Sequence, residues 1–387
     1  MAILIGVDEA GYGPNYGPLA IAATAWRVAG ERSEARGRRS GKNESKRAGA
    51  SSPPVSLAPP RSTPPLPGAI DLYKLLRKAV VRSPQQCSRR IAIADSKQLY
   101  KPGLGLRQLE RGVLAALMAV EPTRDACLEH VKALLAATLA DPRGRRHELD
   151  CHAGDALPLP LDAIADEICE LAAMLRAGCA ASGVTLLAVR AKLIYPAEFN
   201  ELVEHHGTKG AALSHVTLEL VREVVDAACR CVEGGSEYAG GENVPARLTS
   251  SSDLRPPTSL PHFITLDKHG GRNRYAAILQ HHFPECWIET LAEGRAASRY
   301  RWNHREAPIE ATFRVGGEAM LPTALASMTA KYHRELAMRA FNDYWTSRLP
   351  GLKPTAGYPN DAKRFRQEIE PLQRELQIDD RMIWRSR

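Results

Sequence analysis

Dense apolar runs alternate with amphipathic stretches along this chain. Ala2–Val7 and Leu19–Trp26 are short apolar runs near glycine- and proline-rich turns, and they predict buried strands. Ile91–Ala94, Val184–Ile194 and Phe263–Leu266 read the same way. Trp287–Leu291, Arg299–Trp302 and Ile309–Val315 alternate as strands do. Apolar residues at helical spacing predict helices over Ile70–Val81, Leu106–Val120, Ala126–Leu139, Leu161–Ala181, Leu213–Val232 and Pro322–Tyr344, the last with proline at its start. A polar stretch, Asp141–Pro160, interrupts the helices. Two tracts break the pattern altogether. About residues 28–67 are rich in Arg, Ser and Pro, and about 233–261 in Gly, Ser and Pro. Neither composition builds a core, so both are expected to be disordered insertions. The order is α/β, without an internal repeat. It is read as one domain over 1–387, with an extra helical region at 106–181.

The candidate chemistry lies where strands end. AILIGV runs into Asp8-Glu9-Ala10-Gly11-Tyr12-Gly13-Pro14. Two adjacent carboxylates repel, so a neighbouring cation must offset the cost, and a divalent metal with oxygen ligands is the simplest candidate. The glycines that follow let backbone approach another molecule closely. Asp267 ends the apolar run of FITLDKHGG, and Glu318 stands in VGGEAMLP, between a strand and a helix. Three or four converging acids can hold two ions, the arrangement that cuts phosphodiesters. Each acid taken singly also fits an ordinary exposed side chain.

Composition narrows the partners less than it first suggests. The 387 residues carry a formal charge of +8, but nine basic and three acidic residues between 27 and 66 account for +6 of it. The remainder is close to neutral, so a nucleic-acid surface must come from local clustering. The basic tract either tethers nucleic acid non-specifically or is a passive insertion. The cysteines, Cys87, Cys127, Cys151, Cys169, Cys179, Cys229, Cys231 and Cys286, show no CxxC pair or zinc spacing, and read as reduced, mostly buried thiols. No basic region leads the first apolar run as in a signal peptide, and no stretch approaches the roughly 18 apolar residues that span a bilayer. A soluble cytoplasmic protein is expected, with no membrane and no obligate protein partner.

Four segments in order resemble the motifs of type 2 ribonucleases H, the ribonuclease HII and HIII family. These are DEAGYGPNYGP, DSKQL at Asp95–Leu99, ITLDKHG, and GGEAMLPTALASMTAKY. The resemblance covers roughly residues 1–26, 91–99, 184–230 and 263–387. It implies a ribonuclease H-like mixed sheet flanked by helices, with a C-terminal helical segment. It also implies cutting of the RNA strand of RNA/DNA hybrids, or of ribonucleotide-containing DNA duplex, with Mg²⁺ or Mn²⁺. By position it implies that Asp8, Glu9, Asp267 and Glu318 are the catalytic, metal-holding acids. Gly11, Tyr12 and Gly13 would face ribose 2′-hydroxyls, the group that separates RNA from DNA. Lys97, Ser327 and Lys331 match phosphate contacts, and Tyr358, in Gly357-Tyr358-Pro359, matches a tyrosine that stacks at an RNA–DNA junction.

Two positions depart from the ribonuclease HII pattern: Tyr12 stands where arginine is usual, and Glu318 where aspartate is usual. HII-like and HIII-like substrate preference both remain open. A non-catalytic hybrid-binding protein and a DNA-directed nuclease are the competing classes. Lys268, His269, Arg272 and Arg274 form either a phosphate-binding or a solvated loop. The pairs His205-His206 and His281-His282 read as solvent-facing, because adjacent side chains point different ways.

Overall fold

The computed structural model describes residues 1–29, 70–84, 89–101, 103, 105–120, 149–152, 157–233 and 259–386, with only the backbone of 231–233. The helix expected over Ala126–Leu139, Cys87 and Cys127, and nearly all of the two tracts expected to be disordered lie outside those residues.

Nine strands are described: β1 Ala2–Ala10, β2 Leu19–Val28, β3 Val80–Val81, β4 Ile91–Ala92, β5 Val184–Ile194, β6 His262–Asp267, β7 Glu289–Ala292, β8 Ala297–His304 and β9 Ala307–Arg314. Seven form one mixed sheet in the order β5-β2-β1-β6-β9-β8-β7, and β3 pairs with β4. The fold is therefore mixed α/β with helices on both faces of the large sheet. The neighbours β1, β6 and β9 run parallel, whereas the β1–β2, β2–β5, β7–β8 and β8–β9 pairs are antiparallel. Three carboxyl ends thus lie side by side on one edge, where open α/β sheets bind ligands.

Side-chain alternation along β1 sorts the core into two layers. Leu4 packs into the layer with Trp26, Phe263 and the helices Arg107–Val120, Ala165–Ala181 and Leu321–Arg348. Ile3, Ile5 and Val7 face the other layer, with the helix Lys209–Glu233. Burying each such aliphatic side chain stabilises the fold by about 1.5–3 kcal/mol. Gly6 shares Leu4's face. A Cβ there would lie 2.1 Å from the Pro322 carbonyl carbon and the Thr323 nitrogen. Only glycine lets the start of the long helix lie directly on the strand. Thr24 Oγ1 fixes that contact by donating to Pro322 O at 2.8 Å. A third apolar cluster joins Tyr16 to Phe341, Trp345, Phe365 and Ile383, holding the C-terminal helices Pro359–Glu375 and Asp380–Ile383 near the end of β1.

Several expectations are corrected. Ile70–Val81 is a short helix, Leu72–Leu75, followed by β3, because Val80 and Val81 pair with Ile91 and Ala92. The strand expected over Ile91–Ala94 is only two residues of β4. The first strand continues through the acids to Ala10, since β2 pairs with it as far as Ala10–Ala20. β2 runs on to Val28, into the start of the tract expected to be disordered. Helices that went unforeseen include Pro196–His206, Ala276–His282 and the short Ser96–Leu99. Cys151, Cys179 and Cys286 are buried thiols outside any disulfide, Cys229 is buried with its sulfur 3.9 Å from His262 Nε2, and Cys169 is half-buried. Among the described residues no helix is long and apolar enough to cross a membrane.

Candidate active site

β1 and β6 are parallel, with Val7 abreast of Leu266. One step further brings Asp8 beside Asp267, and alternation turns both toward the long helix. Asp267 Oδ1 accepts the backbone N–H groups of Gly316 at 3.1 Å and Gly317 at 3.4 Å. These bonds fold the chain after β9 into a 3₁₀ turn, Gly317–Ala319, which carries Glu318. Gly316 opens that turn at φ 71°, a conformation glycine adopts without strain. Carboxylate oxygens of Asp8, Asp267 and Glu318 all lie within 4.8 Å of one another.

The cost of that convergence appears in proton affinity. Asp8 is buried, and its carboxyl is held well above the ordinary range, first by burial and then by the charge of Glu9. Glu9 is pushed up to about 7 by burial and by Asp267 and Glu318, with Lys97 opposing. Glu318 is raised by burial, although a backbone hydrogen bond opposes the shift, and Asp267 and Asp95 add to it. Mutual repulsion among buried and half-buried carboxylates is relieved by protons or by a cation. The donors are all oxygen, which suits a hard divalent ion such as Mg²⁺ or Mn²⁺.

The surrounding residues separate into three groups. Lys97 is exposed beside the acids and feels Asp95, Glu318, Asp8 and Asp267 together. Its short helix, Ser96–Leu99, is capped by Asp95, which accepts the Lys97 N–H at 3.0 Å. Ser327, expected at phosphates, is buried beneath Asp8 and hydrogen-bonds its carboxylate. Its hydroxyl also lies 3.1 Å from Ser96 Oγ. Lys331 is not drawn into the acids. It pairs with Glu335 and stands 4.4 Å over the Tyr100 ring.

The glycine turn and Tyr358 form one surface. Gly11 sits at φ 83°, and a Cβ there would meet Arg334 Nε at 2.2 Å. Arg334 donates to Tyr16 O and Ala356 O, each at 3.3 Å, tying the turn to the segment before Tyr358. Asn15 N–H donates to Gly357 O at 2.7 Å. The exposed Tyr358 ring then lies 3.9 Å from where a Gly13 Cβ would stand. Tyr12 is half-buried within electrostatic reach of Glu9 and Arg272, and its hydroxyl lies near Gly210.

The loop after Asp267 is not a uniform basic surface. Lys268 is buried and donates to Asn273 Oδ1 at 2.8 Å, and buried His269 meets Ser214 Oγ at 2.9 Å. Arg274 is exposed, 3.7 Å from Glu293. Glu310 stands abreast of Phe263 in mid-strand, paired with Arg299 at 2.6 Å, away from the acid cluster. Asp95 and Arg334 went unforeseen. Asp95 was legible within DSKQL, but Arg334 lies far from the turn it supports, and no local pattern signals it.

No protein-family model and no curated protein sequence matches the chain. Solved structures do. The ribonuclease HII of Archaeoglobus fulgidus, in a complex with PCNA, is 12% identical with a TM-score of 0.36, covering 100% of this chain and 94% of that one. The ribonuclease H2 of Pyrococcus horikoshii is 14% identical with a TM-score of 0.35, covering 98% of this chain and 92% of that one. At that similarity the functional reading rests on this chain's own residues.

Proposed function

We propose that this protein is a divalent-metal-dependent endoribonuclease of the type 2 ribonuclease H kind, cutting the RNA strand of RNA/DNA hybrids or ribonucleotide-containing DNA duplex. The observation that carries the reading is the meeting of Asp8, Asp267 and Glu318 at the carboxyl ends of β1 and β6 and just beyond β9. Asp8, Glu9, Asp267 and Glu318 would hold Mg²⁺ or Mn²⁺. Ions held there would supply charge neutralisation at the scissile phosphate and a lowered pKa for an attacking water.

The chain's own side chains do the rest. Ser327 orients Asp8 by hydrogen bonding its carboxylate. The backbone N–H groups of Gly316 and Gly317 hold Asp267 in place. Lys97 is free of the sheet and near enough to meet a phosphate beside the acids. Gly11, Tyr12 and Gly13 offer backbone to a ribose 2′-hydroxyl, and the exposed Tyr358 ring offers a stacking surface beside Gly13.

A cleavage assay tests this reading with three substrates: an RNA/DNA hybrid, a DNA duplex with one embedded ribonucleotide, and an all-DNA duplex. Cleavage of one or both ribose-containing substrates, dependent on Mg²⁺ or Mn²⁺, is expected. Equal cutting of all-DNA duplex would make it a DNA nuclease, and binding without cleavage would make it a hybrid-binding protein.

A further inference from the structure

Away from the acids, five histidines from three helices gather in one place. His205 and His206 close the helix Pro196–His206, and His281 and His282 close the helix Ala276–His282. His215 lies in the second turn of Lys209–Glu233. Neither pair is simply solvent-facing. His206 stacks on His215 with centroids 3.9 Å apart and planes 7° apart. His215 Nδ1 and His282 Nε2 are 3.2 Å apart. Ring nitrogens of His215, His281 and His282 lie within 4.8 Å of one another.

We propose that His215, His281 and His282 form a second metal site, separate from the carboxylates, that takes Zn²⁺ through nitrogen. In a tetrahedral site with Zn–N near 2.05 Å, neighbouring nitrogens stand about 3.3 Å apart. The His215–His282 separation is close to that value, and a His281 ring nitrogen lies within 4.8 Å of both. The donor set is imidazole, which selects Zn²⁺ and its transition-metal neighbours over Mg²⁺. Two helices end at the cluster, and the partial negative charge of a helix C-terminus favours a cation. Glu219 adds favourable charge near His282, while Arg272 opposes it near His215. Burial and the neighbouring histidines disfavour the protonated form of His215 and His282, which are depressed to about 4. Neutral imidazole is the ligating form.

The site clips the helix Ala276–His282 onto Lys209–Glu233. Ser214, next to His215, contacts His269, two residues beyond Asp267. A metal here therefore braces the backbone that follows one of the acids.

The test uses tag-free, full-length protein stripped with chelator and kept in excess Mg²⁺ to occupy the oxygen site. Co²⁺ is titrated in, its visible absorption is followed, and Zn²⁺ is then added. One equivalent of Co²⁺ with a tetrahedral spectrum, displaced by Zn²⁺, is expected. His281→Gln and His282→Gln should each weaken binding roughly tenfold or more, and Cys286→Ser should leave it unchanged. His281 is exposed, so its variant keeps the fold, which circular dichroism verifies. The proposal is overturned if no tetrahedral spectrum appears or if His281→Gln binds like wild type. It is equally overturned if Cys286→Ser abolishes binding, which would move the metal to the Glu285–Cys286–His304 group.

Discussion

The Asp267 carboxylate accepts the Gly316 N–H at 3.1 Å, and that bond shapes the turn on which Glu318 returns to the strand ends. One acid thereby positions another, and the fourth acid reaches the cluster from a turn rather than from a strand. Glutamate suits this placement, because its longer side chain spans from the turn to the strands.

Glu318 is therefore expected to matter and Glu310 is not. Glu318→Gln should lower turnover on hybrid by roughly a hundredfold, about 2.7 kcal/mol of transition-state stabilisation. Glu318→Asp keeps the charge with a shorter reach and should retain an intermediate rate. Glu310→Gln should stay near wild type in rate and lose only part of its pairing with Arg299. Initial rates across a Mg²⁺ titration check all three.

Metal-free protein should lose stability as pH rises. The Glu9 carboxyl titrates near 7 when folded, against 4.5 as its ordinary value. The folded state therefore binds the proton more tightly. The stabilisation is fully present below about 4.5 and is lost as pH rises through about 7, a change on the order of 3 kcal/mol. Asp8 acts in the same direction. Thermal melts in chelator from pH 5 to 8 should show a falling Tm, flatter in Glu9→Gln. Excess Mg²⁺ should offset the fall at pH 8, where protons no longer compete for the carboxylates.

Gly6→Ala should damage the fold without touching the site chemistry directly. The added Cβ would collide with the backbone of Pro322 and Thr323, which cannot move as a side-chain tip can. A loss of about 2–3 kcal/mol is expected, read as a lower midpoint in urea unfolding. An unchanged midpoint would mean that the long helix shifts freely on β1.

The sequence made the site's parts legible because each acid follows an apolar run that had to be a buried strand. Strand limits were less legible. Nothing in AILIGV tells that pairing with β2 carries the strand through Asp8 and Glu9 to Ala10. Ile70–Val81 has helical spacing, yet Val80 and Val81 join a parallel strand pair whose partners lie eleven residues on. The helix Pro196–His206 was readable in principle, with proline at its start and Gly207 at φ 78° after its end. The histidine cluster was not, because helices distant in sequence bring its members together. The same holds for Arg334 beneath Gly11.

Metal-dependent cleavage of a ribose-containing strand is the activity proposed for the converging acids. Its most direct measurement is cleavage of a labelled RNA/DNA hybrid by wild type and Asp8→Asn, with and without Mg²⁺, with product ends mapped. Wild type should cut only with the metal and leave 5′-phosphate and 3′-hydroxyl ends. Asp8→Asn, folded by circular dichroism, should be slower by roughly a thousandfold or more, about 4 kcal/mol. Near-wild-type cleavage by folded Asp8→Asn, or cleavage by wild type in chelator, would contradict the account.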